Sequence, residues 1–164
     1  MNIFYLHHNP TTCARYHVDK HCVKMILEYA QLLSTAHHVL DGETPLSPHL
    51  YKATHRNHPS AVWVRQSEAN YSWLYTLLEE LSTEYTHRYN KVHATTRLFS
   101  LLQYAPDNIP VKRFTEPTPA MPEEYKIAGN SLESYRRYYN GDKQRMFSWK
   151  NRSTPDWVQV PVTI

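Results

Sequence analysis

A mainly α fold is predicted: a compact single-domain bundle of about four helices over residues 1–164, with a proline-rich segment wrapped around it. Three observations predict it. The stretch Thr12–His38 keeps a helical period throughout, and so does Ser60–Tyr89, where Val64, Tyr71, Leu74, Leu78, Leu81 and Tyr85 recur at helical spacing. No run of alternating apolar and polar residues is long enough to argue for a sheet. Five prolines (106, 110, 117, 119 and 122) fall within 105–122 and forbid regular structure there.

Along the chain, Met1–Leu6 is a short apolar piece, either a strand-like entry or a core plug. His7-His8-Asn9-Pro10 makes a turn, and Thr11 or Thr12 can cap the first helix. That helix closes near Asp41-Gly42, where a glycine suits the C-terminal cap. Residues 43–57 form a loop around Pro45 and Pro48 that leads into His55-Arg56-Asn57-His58-Pro59. The second helix opens at Pro59 or Ser60 and runs to Tyr89. A shorter one follows over Thr95–Tyr104. The proline stretch reads as an ordered wrap with Ile109, Val111, Phe114 and Met121 as anchors. Asn130 with Glu133 three positions later resembles a capping box and starts the last helix, to about Trp149, with Gly141 a point of interruption. Trp157 and Val158 are expected to dock back on the core.

In the first helix, His17, His21, Lys24, Glu28, Gln31 and Thr35 are spaced 4, 3, 4, 3, 4. At about 100° per residue all six share roughly 80° of arc. Much of the remaining circumference is apolar, the reverse of an ordinary surface helix. Two imidazoles, an ammonium, a carboxylate and an amide on an apolar helix suggest a lined cavity and a catalytic role for Glu28, His21, Lys24 and His17. A carboxylate one turn from an ammonium and two from an imidazole can act as a base or stabilise a developing cation. The plain alternative is a solvated face with a Lys24–Glu28 pair.

Three further groups are candidate binding residues. Arg56, Asn57 and His58 precede a helix N-terminus, where free N–H groups favour phosphate. Tyr135, Arg136 and Tyr139 sit in Ser-Tyr-Arg-Arg-Tyr-Tyr, which interleaves basic and aromatic groups as a base-stacking face does. The same tyrosines at helical spacing serve equally as core. Gln31 on the polar stripe and Lys20 beside it are the third group. His17 and His21 are spaced like two metal ligands, but HExxH is absent and no third ligand is placed by spacing. No metal and no cofactor is expected.

The formal charge of +3 argues against a broad basic surface, although eleven histidines can add charge in acid. Thirteen tyrosines and four tryptophans against three glycines supply rings for a core or for stacking. Cys13 and Cys22, read on one helix, would lie roughly 13 Å apart, too far for a disulfide. They read as core residues in a reducing compartment. With no signal-like N-terminus and no long apolar run, a cytoplasmic location without membrane contact is expected. The absence of GxxxxGK[ST], GxGxxG and CxxC removes support for phosphoryl transfer, dinucleotide redox and zinc-ribbon readings. Oligomeric state is left open, a homodimer included.

The segments MNIFYLHHNP, HVDKHCVKMILEYAQLLSTAH and THRNHPSAVWV, with the closing aromatic-basic helix, resemble small phage-borne proteins that are distantly similar to the pyrimidine-dimer DNA glycosylases. The resemblance covers about the first 90 residues and, more loosely, the last helix. It implies a compact all-helical domain with a histidine seven residues before a catalytic glutamate, matched here by His21 and Glu28. It also implies an Asn-His-Pro element before a long helix, matched by Asn57, His58 and Pro59. The phage-type enzyme attacks the sugar C1′ with the amine of an N-terminal threonine; this chain carries Asn2. The resemblance then leaves two routes. Lys20 or Lys24 forms an imine, or Glu28 stabilises an oxocarbenium-like sugar and directs water to C1′ while His21 or His17 orients or protonates the base.

The expected function is therefore cleavage of a nucleotide N-glycosidic bond. The substrate is either a damaged or modified base in DNA or a free or cyclic nucleotide signal in phage counter-defence, in a host cytoplasm. Two rivals fit the same residues: a non-catalytic protein that sequesters a nucleotide, and a structural DNA-binding accessory protein.

Overall fold

The computed structural model describes residues 1–159. Its helices are α1 (Pro10–Tyr16), α2 (Asp19–Asp41), α3 (Pro59–Val64), α4 (Glu68–Tyr89), α5 (Phe99–Leu102) and α6 (Ser131–Asp142). Short 3-10 turns occupy Ser47–His49, Ala94–Leu98, Glu123–Tyr125 and Gln144–Met146. No strand occurs among the described residues. The long helices α2 and α4 pack together, with α1 laid on α4 and α3 on α2. This is the mainly α bundle that the periodicity predicts.

Two predicted helices are each split. The first breaks at His17-Val18, where both residues are extended (ψ 132° and 158°). Asn9, not a threonine, caps α1, its Oδ1 accepting from the Thr11 and Thr12 N–H groups. Cys13 and Cys22 thus lie on different helices; both are free and buried. The second breaks at Arg65–Ser67, where Ser67 Oγ caps α4 by accepting from Asn70 N–H. Gly42 closes α2 at φ 63° as expected. The last helix stops at Asp142 rather than Trp149. Asn130 caps it as predicted, its side chain accepting from Glu133 N–H. Gly141 stays helical, and a Cβ there would run into the Tyr125 ring that packs on Tyr138.

Met1–Leu6 is a core plug. Asn2–Leu6 are all buried, neither helical nor in a ladder, so side chains bond to the backbone. Phe4 N–H donates to Tyr29 Oη, Leu6 N–H to Cys13 Sγ, and Leu6 O accepts from Arg136 Nε. Phe4 packs on α2 and α6 while Tyr5 packs on Trp73 of α4, so neighbouring side chains point opposite ways as in extended chain.

The proline-rich wrap is ordered, though its anchors differ from expectation. Ile109 is buried and Phe114 rests on Trp63 and Trp73, but Val111 is 84% exposed. Hydrogen bonds do the rest. Pro110 O accepts from Glu68 N–H, Thr115 exchanges bonds with Asn70 and accepts from Trp63 Nε1–H, and Ala120 O accepts from Asn2 Nδ2. Trp157 docks against Tyr16 and Tyr139, and Val158 is half-buried.

Candidate active site

The break between α1 and α2 determines which stripe residues face solvent. His17, the C-cap of α1, has no exposed surface. Its Nδ1–H donates to Cys13 O at 2.7 Å, since a carbonyl can only accept. Its Nε2 therefore accepts from Tyr29 Oη (2.7 Å), which in turn takes the Phe4 N–H. Burial pushes the His17 pKa down to about 4. Both ring nitrogens are engaged, so His17 neither reaches substrate nor shares a metal with His21. The catalytic role expected of it is replaced by a structural one. No cluster of three or more His, Cys, Asp or Glu that could hold a metal occurs among the described residues.

His21 is placed differently. Its ring stacks on Phe4 (centroids 4.1 Å apart, 15° between planes), and its Nδ1 meets Tyr139 Oη at 2.7 Å. Its Nε2 makes no hydrogen bond to a described residue. Burial lowers its pKa to about 3, and the charges of His17, Lys143 and Lys24 add to this. At neutral pH it is an uncharged imidazole that feels the positive charge of Lys24 and Lys143. One turn further along α2 Lys24 is exposed, and Glu28 and Gln31 are half-buried. Thr35 is buried because Thr54 N–H donates to its Oγ1. The stripe is accordingly an open ridge over Lys24, Glu28 and Gln31, with His21 buried at one end and Thr35 roofed over at the other, rather than the lined cavity expected. Lys20 and Lys24 both stand in solvent, without the burial that an imine-forming amine calls for.

The other candidate residues scatter. Helix α3 is only six residues long, and the His58 ring takes its Ser60 N–H, so the expected anion site at that N-terminus is closed. Burial lowers the His58 pKa, as do the chain's amino group and His55. Asn57 is exposed. Arg56 is exposed too and lines a cleft of about 540 Å3 with His38, Glu43 and Lys52 at the far end of α2. Tyr135 and Tyr139 have no exposed surface, so neither offers a ring face to a base. The Tyr135 hydroxyl donates to Asn2 Oδ1. Arg136 is a clamp: its Nε holds Leu6 O, and its guanidinium lies over the Tyr16 and Trp157 rings.

Sequence reasoning did not find Phe4, Lys143 or Arg88. Phe4 meets His21 only through the fold, from 17 residues before it, and Lys143, the residue that ends α6, acts on it through charge. Arg88 reads as an ordinary cation in the last turn of α4.

A family model described as pyrimidine dimer DNA glycosylase matches residues 1–97. The chain belongs to the pyrimidine dimer DNA glycosylase family. No curated protein and no solved structure matches it. As a pyrimidine dimer DNA glycosylase relative it is a glycosylase-type enzyme whose substrate is DNA, and among its described residues no helix is long and apolar enough to cross a membrane. The matched segment holds the plug, α1 to α4, and the His21–Glu28 ridge. Helix α6, which contacts His21, lies beyond it.

Proposed function

We propose that this glycosylase removes a damaged pyrimidine from duplex DNA by hydrolysis, with Glu28 as the catalytic carboxylate. The observation that carries this is the ridge of α2. His21 and Glu28 lie two turns apart, about 10 Å along the axis, with the Lys24 ammonium between them on a face open to solvent. An open ridge accepts a polymer strand with an extruded nucleotide. As the C1′–N bond breaks, the Glu28 carboxylate stabilises the positive charge growing on the sugar. It then takes a proton from water as the new C1′–O bond forms, and the bonding pair leaves with the base.

Two features favour hydrolysis over an imine. Asn2 is fixed in the core: its Oδ1 accepts from Ile3 N–H and Tyr135 Oη–H, and its Nδ2 donates to Ala120 O. The lysines of α2 are exposed. Lys24 then serves as a phosphate contact. His21, uncharged at neutral pH, orients the strand rather than protonating the leaving base. Gln31 borders the same ridge, while Lys20, Arg56 and Asn57 are exposed polar groups further out.

The test is base release from duplexes bearing one pyrimidine dimer, uracil or another modified base, read by mass spectrometry. Glu28→Gln keeps the shape and removes the charge. It is expected to lower the rate at least a hundredfold, about 2.7 kcal/mol of barrier. Borohydride added during turnover is expected to trap no covalent complex. Release by Glu28→Gln at the rate of the unaltered protein would falsify the role of Glu28, and a trapped complex would replace hydrolysis by imine chemistry.

A further inference from the structure

We infer that Tyr139, from a helix outside the segment shared with the family, is a positioning residue that locks His21 into one tautomer. In it, Nε2–H is left free to donate to an anionic oxygen of the DNA strand. This rests on the proposed reading of the α2 ridge as the DNA face.

Four observations converge. The Tyr139 hydroxyl accepts the Val18 N–H (3.3 Å) and lies 2.7 Å from His21 Nδ1. Its own proton has no other acceptor among the described residues. In a site without exposed surface that proton must go to Nδ1, which leaves the imidazole proton on Nε2. The stack on Phe4 fixes the plane of the ring, and the plug fixes Phe4 through its bond to Tyr29. His21 is only 6% exposed, so the ring is held rather than solvated, yet Nε2 is left without a described partner. Lys143 is itself held, its ammonium 4.9 Å from the Tyr138 ring centroid and 3.7 Å from Asp142 Oδ2, and with Lys24 it adds positive charge to the surroundings of His21. An uncharged N–H donor in a positively charged neighbourhood matches an anionic oxygen acceptor. Burial keeps the ring uncharged, consistent with its lowered pKa. The other tautomer would aim a lone pair at the same oxygen and repel it.

The first readout needs no substrate. Long-range proton–nitrogen NMR of the free protein is expected to show His21 with Nε2 protonated and Nδ1 bare. In Tyr139→Phe the other tautomer should become populated, because the donor to Nδ1 is gone. The second readout is affinity for a dimer-bearing duplex, measured in a Glu28→Gln background so that no turnover intervenes. Tyr139→Phe is expected to weaken binding about tenfold, equivalent to about 1.4 kcal/mol. His21→Gln offers a side-chain N–H with no tautomer to lose. It should keep affinity within about threefold and make it insensitive to a further Tyr139→Phe change, a coupling that a merely structural tyrosine would not show. Lys143→Gln should reduce the salt dependence of binding by close to one ion.

An Nδ1–H tautomer in the unaltered protein would overturn the inference, and so would a tautomer that Tyr139→Phe leaves unmoved. If Tyr139→Phe fails to fold, loss of affinity in His21→Gln as severe as in His21→Leu overturns it instead. If no base is released from any duplex but tautomer and affinity respond as described, the positioning role stands and the catalytic reading falls.

Discussion

Replacing Arg88 by alanine is expected to remove about 3–5 kcal/mol of folding stability, because it strands charges that the fold has buried around this one side chain. The Arg88 side chain has no exposed surface. Its Nε donates to Glu84 Oε2 at 2.8 Å, Nη1 to Asp19 Oδ1 at 3.0 Å and to His17 O at 2.8 Å, and Nη2 to Arg15 O at 3.0 Å. Glu84 is itself buried and takes a second guanidinium from Arg152. Burial alone would raise the Glu84 pKa, but the hydrogen bonds from Arg152 and Arg88 outweigh it and hold it below the usual value. Without Arg88, two carbonyls lose their partner, and the carboxylates of Glu84 and Asp19 each lose one, Glu84 in a dry site. Arg88→Lys should recover little, since one ammonium cannot reproduce a planar fork serving four acceptors. Adding Glu84→Gln to Arg88→Ala should recover part of the loss by removing the stranded charge. Urea unfolding of the three variants measures this. A cost under 1 kcal/mol for Arg88→Ala would mean that water replaces the guanidinium freely and that the cluster is incidental.

The same residue explains where the sequence could and could not be read. The period of α2, its glycine cap and the Asn130 cap are local and were legible, because helical spacing and cap chemistry need only neighbours. The break at His17-Val18 was not. Neither a proline nor a glycine marks it. The chain turns there because Arg88, 71 residues away, collects the carbonyls of Arg15 and His17, while Asp19 N–H bonds Ser148 O. Periodicity carried straight through, and so placed His17 on the stripe when it belongs to the core. The split at Ser67 was legible in principle: serine followed by glutamate is a helix-start signal, lost inside a longer apolar period. For Tyr135 and Tyr139 the spacing gave core and stacking face equal standing. Only the positions of Asn2, Val18 and His21 decide for core. The His21–Glu28 spacing survived on one face of α2, from a buried imidazole to a half-buried carboxylate, since both residues lie after the break on one unbroken helix.

Acid should unfold this protein early. His17 titrates near pH 4 and His21 near pH 3 when folded, against about 6.5 when unfolded. Both folded values are depressed, so the unfolded chain binds protons first as pH falls. The stability linked to each histidine is fully present above about pH 6.5. It is lost progressively from there down to the folded value, at about 1.4 kcal/mol per pH unit per group. Between pH 6.5 and 4.5 the pair together removes roughly 5 kcal/mol, comparable to the whole stability of many domains. The geometry says why neither ring accepts a proton in place. His17 already donates from Nδ1 and accepts at Nε2, and His21 accepts at Nδ1 while Lys24 and Lys143 stand nearby. Arg88 opposes a charge on His17 and Glu84 favours one, but burial dominates both. His37, whose pKa burial also lowers, contributes in the same direction. Below this window the depressed Glu84 adds its own loss, since its pairing with Arg88 and Arg152 ends once it is protonated. Urea unfolding at pH 7.5, 6.5, 5.5 and 4.5 is expected to give a level response at the top and a steep fall beneath it. His21→Gln should cut that slope by close to one proton. A stability that stays flat from pH 6.5 to 5 would mean that these rings are protonated in the folded protein, and that His21 meets DNA as a cation after all.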